Sequence, residues 1–209
     1  MTVAEWGRDY WDTQTHTLEQ AKECVWAVEP GRYDDTTTVC LDILYSHVPR
    51  RASTFLDVGA GCGRLSIPFA VRYPSSRIYA FDISAGMLRL AQEEAEQQGV
   101  NNMVTVHGDK EVLAGLPPID FAYSIVVLQH NPPEVCAPLV KAVGKVMSSG
   151  GVFVYQTISD RDFSDWGHLA EEVTSGWAID AGLEVVETFE GGLSEDWHWT
   201  VARRGFRGA

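Results

Sequence analysis

The chain has no apolar run approaching the roughly 20 residues that a membrane-crossing helix needs. Its start, Met1-Thr-Val-Ala-Glu-Trp6, lacks the basic residues and apolar stretch of a secretory signal, so a cytoplasmic location with no membrane attachment is expected. Cysteine is scarce: Cys24, Cys40, Cys62 and Cys136 are widely scattered, with no close pair of the kind that zinc sites and redox motifs use, and free thiols are expected. Positive charge is scarce too. The 16 Lys and Arg against 29 Asp and Glu leave a net charge of −13, which opposes docking onto a phosphate backbone and makes nucleic acid a disfavoured partner. The one basic cluster, Arg203, Arg204 and Arg207 beside Gly205 and Gly208, reads as a frayed, solvated tail over 204–209. No internal repeat, low-complexity linker or heptad pattern occurs, so no oligomeric state is implied.

What is present is enough apolar chain for one substantial core: 209 residues, 45% hydrophobic, predict a single domain with an appended segment. Short apolar runs at Thr54–Val58, Arg77–Phe81, Met103–Val106, Phe121–Val127 and Val152–Tyr155 read as buried strands. Between them, Arg64–Arg72, Ala85–Gln98 and Pro133–Met147 place apolar residues three and four apart, as helices do. Ser84 is suited to cap the second of these and Gly99 to stop it, while Pro132 and Pro133 suit the start of the third. Strand and helix in alternation predict a doubly wound, mostly parallel sheet of the Rossmann-like α/β class. After Gly182, strands over Leu183–Phe189 and Trp197–Ala202 around Gly191-Gly192 predict an antiparallel hairpin that completes seven strands. Residues 1–50 lack the alternation, carry Trp6, Tyr10, Trp11, Trp26 and Tyr33, and read as a helical cap or lid on a core over 51–203.

The chemistry-bearing feature is a strand running into Gly59-Ala-Gly-Cys-Gly63. Glycine lets the backbone turn sharply and lets a ligand approach it closely. A dinucleotide fingerprint would need a further glycine where Arg64 stands, so a nicotinamide-dependent oxidoreductase is disfavoured. Acids follow at strand ends. Asp82, 23 positions beyond Gly59, is placed to accept hydrogen bonds from both hydroxyls of a ribose, and Asp109 to accept one from an adenine amino group.

Taken in order, Leu56-Asp-Val-Gly-Ala-Gly-Cys-Gly-Arg64, Phe81-Asp-Ile-Ser84, Gly108-Asp109, Asp120-Phe-Ala-Tyr-Ser124 and Ser149-Gly-Gly-Val-Phe153 resemble the successive motifs of class I S-adenosylmethionine-dependent methyltransferases. The resemblance covers roughly residues 51–203. It implies the cofactor S-adenosylmethionine, released as S-adenosylhomocysteine. Its methionine end would lie over Asp57, Gly59, Gly61 and Gly63, its ribose on Asp82, and its adenine between Ile83 and the loop that begins at Ser124 and Ile125, with Asp109 and Lys110 at the adenine edge. Met87 joins this set, although its helical spacing with Leu90 and Ala91 suits a plain core residue equally well.

A sulfonium donor is already activated, so positioning of the acceptor outweighs acid–base chemistry. Where the acceptor must lose a proton, His130 is the candidate base, with an ordinary pKa of ~6.5; packing in the loop is its alternative role. Asn131-Pro-Pro133 is similar to a signature of amino-group methylation, but it begins six positions after Ile125, where that signature would start, and Glu134 stands in the place of its aromatic residue. It is read as a helix start. The resemblance also implies substrate recognition by Trp6–Asp12 and Ser159–Gly176; in the first of these, Tyr10 and Trp11 are candidates to close over the acceptor, with anchoring of the cap as their alternative role. Asp160, Asp162, Asp165 and His168 within the second read as a solvated acidic loop rather than a metal site. The expected function is methyl transfer to oxygen or nitrogen of a small molecule. A peptide or protein side chain is an alternative acceptor, and a catalytically silent cofactor-binding module is the alternative outside enzymes.

Overall fold

The computed structural model describes residues 10–13, 17–24, 33–158, 171–192 and 195–206. Trp6, Trp26, Asp160, Asp162, Asp165, His168 and Arg207 lie outside them. Seven strands form one sheet: β1 (Thr54–Val58), β2 (Arg77–Asp82), β3 (Met103–His107), β4 (Ile119–Ser124), β5 (Met147–Ile158), β6 (Leu183–Glu190) and β7 (Trp197–Arg204), in the order 3-2-1-4-5-7-6. β1 to β5 are parallel neighbours, and β7 runs antiparallel to both β5 and β6. This is the Rossmann-like arrangement the sequence predicts, hairpin included.

The near-continuous apolar strands are explained by cores on both faces. Along β1, β4 and β5, Phe55, Phe121, Tyr123, Val152 and Val154 join one buried cluster, while Leu56, Ala122, Phe153 and Tyr155 join the other, because successive side chains of a strand point to opposite faces. The first cluster is covered by α2 (Tyr33–His47), α3 (Ser66–Arg72) and α4 (Ala85–Gln97), through Cys40 and Leu44, Phe69 and Ala70, and Leu88 and Ala91. The second is covered by α5 (Pro133–Val146) and α6 (Glu171–Asp180), through Cys136, Val140, Val143 and Trp177. The helix α1 (Leu18–Cys24) belongs to the N-terminal segment, where residues 10–13 are helical as well. Among the described cysteines, Cys40, Cys62 and Cys136 are buried and take part in no disulfide, and no described helix is long and apolar enough to cross a membrane.

Punctuation follows the sequence where the signal is local. The Ser84 hydroxyl accepts from the Met87 N–H at 3.1 Å, Gly99 takes a left-handed φ of 71°, and α5 starts at Pro133. Several boundaries differ. β4 stops at Ser124 rather than Val127, because Val126 turns to a φ of 60° and a short 3₁₀ helix follows over Leu128–His130. β5 is 12 residues long: it begins at Met147, passes through polar Ser148-Ser-Gly-Gly, and is paired on both sides. A 3₁₀ helix over Lys110–Gly115 and the helix α6, which takes up 171–176, were not expected from the sequence. The C-terminal arginines are partly structural: Arg203 and Arg204 lie in β7, and the Arg204 guanidinium donates to the carbonyls of Gly144, Ala181 and Gly182 at 3.3–3.4 Å.

Gly144 marks the closest approach of α5 to the turn after α6. A Cβ built on it would lie 2.8 Å from both the Cβ and the carbonyl oxygen of Ala181, and neither belongs to a flexible side chain. Gly144→Ala should therefore destabilise the fold by about 1–3 kcal/mol, seen as a melting temperature lower by about 2–4 °C per kcal/mol. An unchanged melting temperature would contradict this packing.

Candidate active site

β1 is the point where strand order reverses, with β2 on one side and β4 on the other, and such a point opens a crevice at the carboxyl ends of the strands. The glycine loop turns there. Gly59, Gly61 and Gly63 all have positive φ, at 80°, 54° and 85°, a region other L-residues resist. The loop is fastened to the end of β2: the N–H groups of Gly59 and Ala60 both donate to the Phe81 carbonyl, at 2.8 and 2.9 Å. Gly59 also carries the loop after β4, since a Cβ on it would stand 2.3 Å from a methyl of Val127.

Asp82, 9% exposed, completes the fastening. Its Oδ2 accepts from Gly61 N–H and its Oδ1 from Ser84 N–H, both at 2.8 Å. Burial pushes its pKa up, and the N–H groups of Ser84 and Gly61 oppose that by favouring the charged form. One N–H per oxygen leaves acceptor capacity on each, and Asp82 lines the crevice.

Asp57 sits deeper, 3% exposed, and its Oδ2 accepts a 2.6 Å hydrogen bond from the Ser66 hydroxyl. Burial pushes its pKa up to about 7 against the Ser66 hydrogen bond and the nearby Arg64 charge. Its proton is therefore exchangeable near neutrality.

The crevice has two chambers. The first is lined by Gly59, Gly61, Asp82, Ile83 and Met87 from the glycine loop and the end of β2 into α4, by Asp109 and Lys110 beyond β3, and by His130 and Trp11. The second holds Asp57 and Ile125 and shares Gly59, Gly61 and Val126 with the first. Three candidates fall elsewhere. Gly63 faces a separate groove toward α1 and α2. Ser124 is fully buried, with its hydroxyl donating to the Val58 carbonyl at 3.0 Å, where it joins β4 to β1. Tyr10 is 42% exposed and packs edge-on to Trp11 at 5.1 Å. Asp109 caps the 3₁₀ helix by accepting from the Lys110 N–H at 2.6 Å, and the Lys110 ammonium pairs with Asp109 and Glu111.

Residues the sequence did not single out also line the first chamber, among them Val126, Glu134, Val135 and Leu139. Asn131 lines it as well, and its side-chain amide donates to the Val127 carbonyl at 2.9 Å. Asp12 does not line the chamber but fastens the segment that does, at Ser84 and Gly86. Its Oδ1 accepts from the Ser84 hydroxyl at 2.6 Å and from Gly86 N–H at 3.2 Å, so the segment 10–13 is docked on the start of α4. That docking sets Trp11 over the first chamber, edge-on to His130 at 5.9 Å. Among the described residues no group of three or more His, Cys, Asp or Glu could hold a metal ion.

A methyltransferase-domain family profile matches residues 55–151, the span from β1 through the start of β5. The chain is 27% identical over 191 residues to the ribosomal protein L11 methyltransferase of Syntrophomonas wolfei, covering 88% of this chain and 56% of that protein. It is 27% identical over 146 residues to the trans-aconitate 2-methyltransferase of an Azoarcus species, covering 69% and 54%. The chain thus spans little more than half the length of these curated relatives. In three dimensions it is similar to magnesium protoporphyrin IX methyltransferase from Synechocystis, solved with bound SAM, with a TM-score of 0.73, 20% identity and 98% of each chain covered. The matched domain, the strand order with its antiparallel hairpin and the glycine loop agree: residues 55–151 match a methyltransferase domain, and the chain has the fold of the methyltransferases it is similar to.

Proposed function

We propose that the protein is an enzyme that transfers a methyl group from S-adenosylmethionine to an oxygen or nitrogen of a small-molecule acceptor, with S-adenosylhomocysteine as the second product. The observation that carries this is Asp82, a buried carboxylate held by two backbone N–H groups with acceptor capacity still directed at the crevice. In this reading Asp82 takes the ribose hydroxyls, Ile83 and Met87 pack along the adenine, and Asp109 with Lys110 meets its edge. Gly59 and Gly61 line the passage between the chambers, and Asp57 in the second chamber takes the ammonium of the amino-acid end. The bound cofactor would supply a methyl group already activated on a sulfonium. What the chain must add is an acceptor held in line and kept from water. Trp11 and His130 stand together at the first chamber for that task, with His130 as the base when the acceptor has a proton to lose. The net charge of −13 favours a small or cationic acceptor over a polyanion. A protein side chain is the second reading, supported by the L11 methyltransferase, which aligns with 88% of this chain.

Calorimetric titration with S-adenosylhomocysteine, followed by an amine, phenol and carboxylate panel with the methyl donor, tests the proposal. Submicromolar to micromolar binding and a methylated product are expected. A melting-temperature rise with NAD but none with S-adenosylmethionine would sink it, and binding without any product would favour a silent module. Asp82→Ala should weaken cofactor affinity by about 10- to 100-fold, the size of one or two charge-assisted hydrogen bonds.

Asp57 gives the affinity a pH dependence. An Asp has an ordinary value of 3.8, and this one is pushed up to about 7, so between those values the folded chain keeps a proton that the unfolded chain has released. Stability of the ligand-free protein should fall from about pH 4 to about pH 7 and level off above. Affinity for the cofactor's ammonium should rise over the same interval, since only ionised Asp57 attracts it. Asp57→Asn should flatten the affinity profile, whereas an unaltered slope would remove Asp57 from the site. For an acceptor that must lose a proton, His130→Ala should lower kcat by about 10²–10⁴, and a loss of less than a few-fold would leave His130 a packing role.

A further inference from the structure

Among the described residues Val126 is the one non-glycine residue with a left-handed backbone, at a φ of 60°. For a β-branched residue that conformation is sparsely populated and persists only where surrounding structure enforces it. Its position is not incidental. Val126, Gly59 and Gly61 are the three residues that line both chambers, so Val126 forms the wall at the seam between the ribose end and the amino-acid end of the proposed cofactor site.

One side chain from a different strand enforces it. Gln156 in β5 is fully buried; its Oε1 accepts from the Val126 N–H at 3.0 Å, and its own amide donates to the Thr157 carbonyl at 2.9 Å. Both ends of the amide are thereby fixed, which turns the acceptor oxygen toward a single backbone donor. The next residue is fixed as well: the Val127 carbonyl accepts from Asn131, and the Val127 side chain rests on Gly59. A buried polar side chain in a central strand is unfavourable without such partners, so the geometry of Gln156 is tied to the loop it holds.

We infer that Gln156 is a positioning residue for methyl transfer, holding Val126 in its left-handed conformation so that the wall at the donor seam keeps the shape the cofactor needs. The inference rests on the cofactor reading above. It assigns Gln156 no contact with cofactor or acceptor; it acts through Val126.

Glycine adopts the left-handed region without strain, so Val126→Gly should make the holder dispensable, and that supplies the test. Affinity for S-adenosylhomocysteine is measured by calorimetry for the native chain, Gln156→Met, Val126→Gly and the double variant, with melting temperatures alongside. Gln156→Met should weaken binding about tenfold or more, the scale of one buried hydrogen bond and the backbone it restrains. In the Val126→Gly background the same substitution should change affinity by less than about threefold. An equal loss in both backgrounds, or native affinity in Gln156→Met, would overturn the inference, because a residue that only packs the core does not care what stands at 126. If Gln156→Met alone does not fold, a folded and binding double variant supports the holding role, and an unfolded one overturns it in favour of a core role. A native chain that fails to bind S-adenosylhomocysteine sinks the cofactor reading itself and this inference with it, whereas native binding with additive losses sinks only the inference.

Discussion

The site depends on how the end of β2 receives the glycine loop. The Phe81 carbonyl takes the N–H groups of Gly59 and Ala60, and the next carboxylate, Asp82, takes that of Gly61. Three loop donors are thus satisfied by two consecutive residues of one neighbouring strand. The turn they impose requires positive φ at Gly59 and Gly61, and the missing Cβ at Gly59 is what lets Val127 close down from the other side. The same contacts that fold the loop set a carboxylate at the crevice, so local stability and ligand geometry are not separable here.

From that junction order spreads outward in two directions. Through Ser84 it reaches the start of α4 and then Asp12, which brings Trp11 over the first chamber. Cys62, Met87 and Leu90 bury Ala21 of α1 in a small satellite core beside Trp11 and Leu18. The N-terminal segment is therefore held by an apolar contact as well as by a carboxylate at a helix start, where negative charge is favoured. Through Val127 order reaches the loop after β4, where Gln156 holds the Val126 N–H and Asn131 holds the Val127 carbonyl.

What could be read from sequence was what rests on short spacing. Gly59, Gly61, Asp82, Ile83, Asp109 and Lys110 meet in one crevice because each sits at or just past the end of a parallel strand, and strand ends are visible in the apolar runs. What could not be read depends on contacts distant in sequence. Ile125-Val-Val-Leu128 has the composition of a strand, yet the chain leaves the sheet at Ser124, a departure fixed by Gln156, 30 residues later. β5 is hidden at both ends by polar residues that are satisfied only in the folded sheet: Ser148 donates to Asp120, and Gln156 holds Val126. Helix α6 escapes notice because Thr174, Ser175 and Gly176 interrupt its pattern, while its anchors Trp177 and Ala178 gain meaning only against the second core. Nothing in the sequence ties Asp12 to the start of α4, because its partners are more than 70 residues away.

The central claim is that Asp82 and the glycine loop form a nucleoside site of one defined orientation. A crystal structure of the protein with S-adenosylhomocysteine tests it most directly. The account predicts both ribose hydroxyls within hydrogen-bonding distance of the Asp82 carboxylate, with the amino-acid end in the chamber of Asp57. A ribose bound away from Asp82, or a ligand in the reversed orientation, would contradict it.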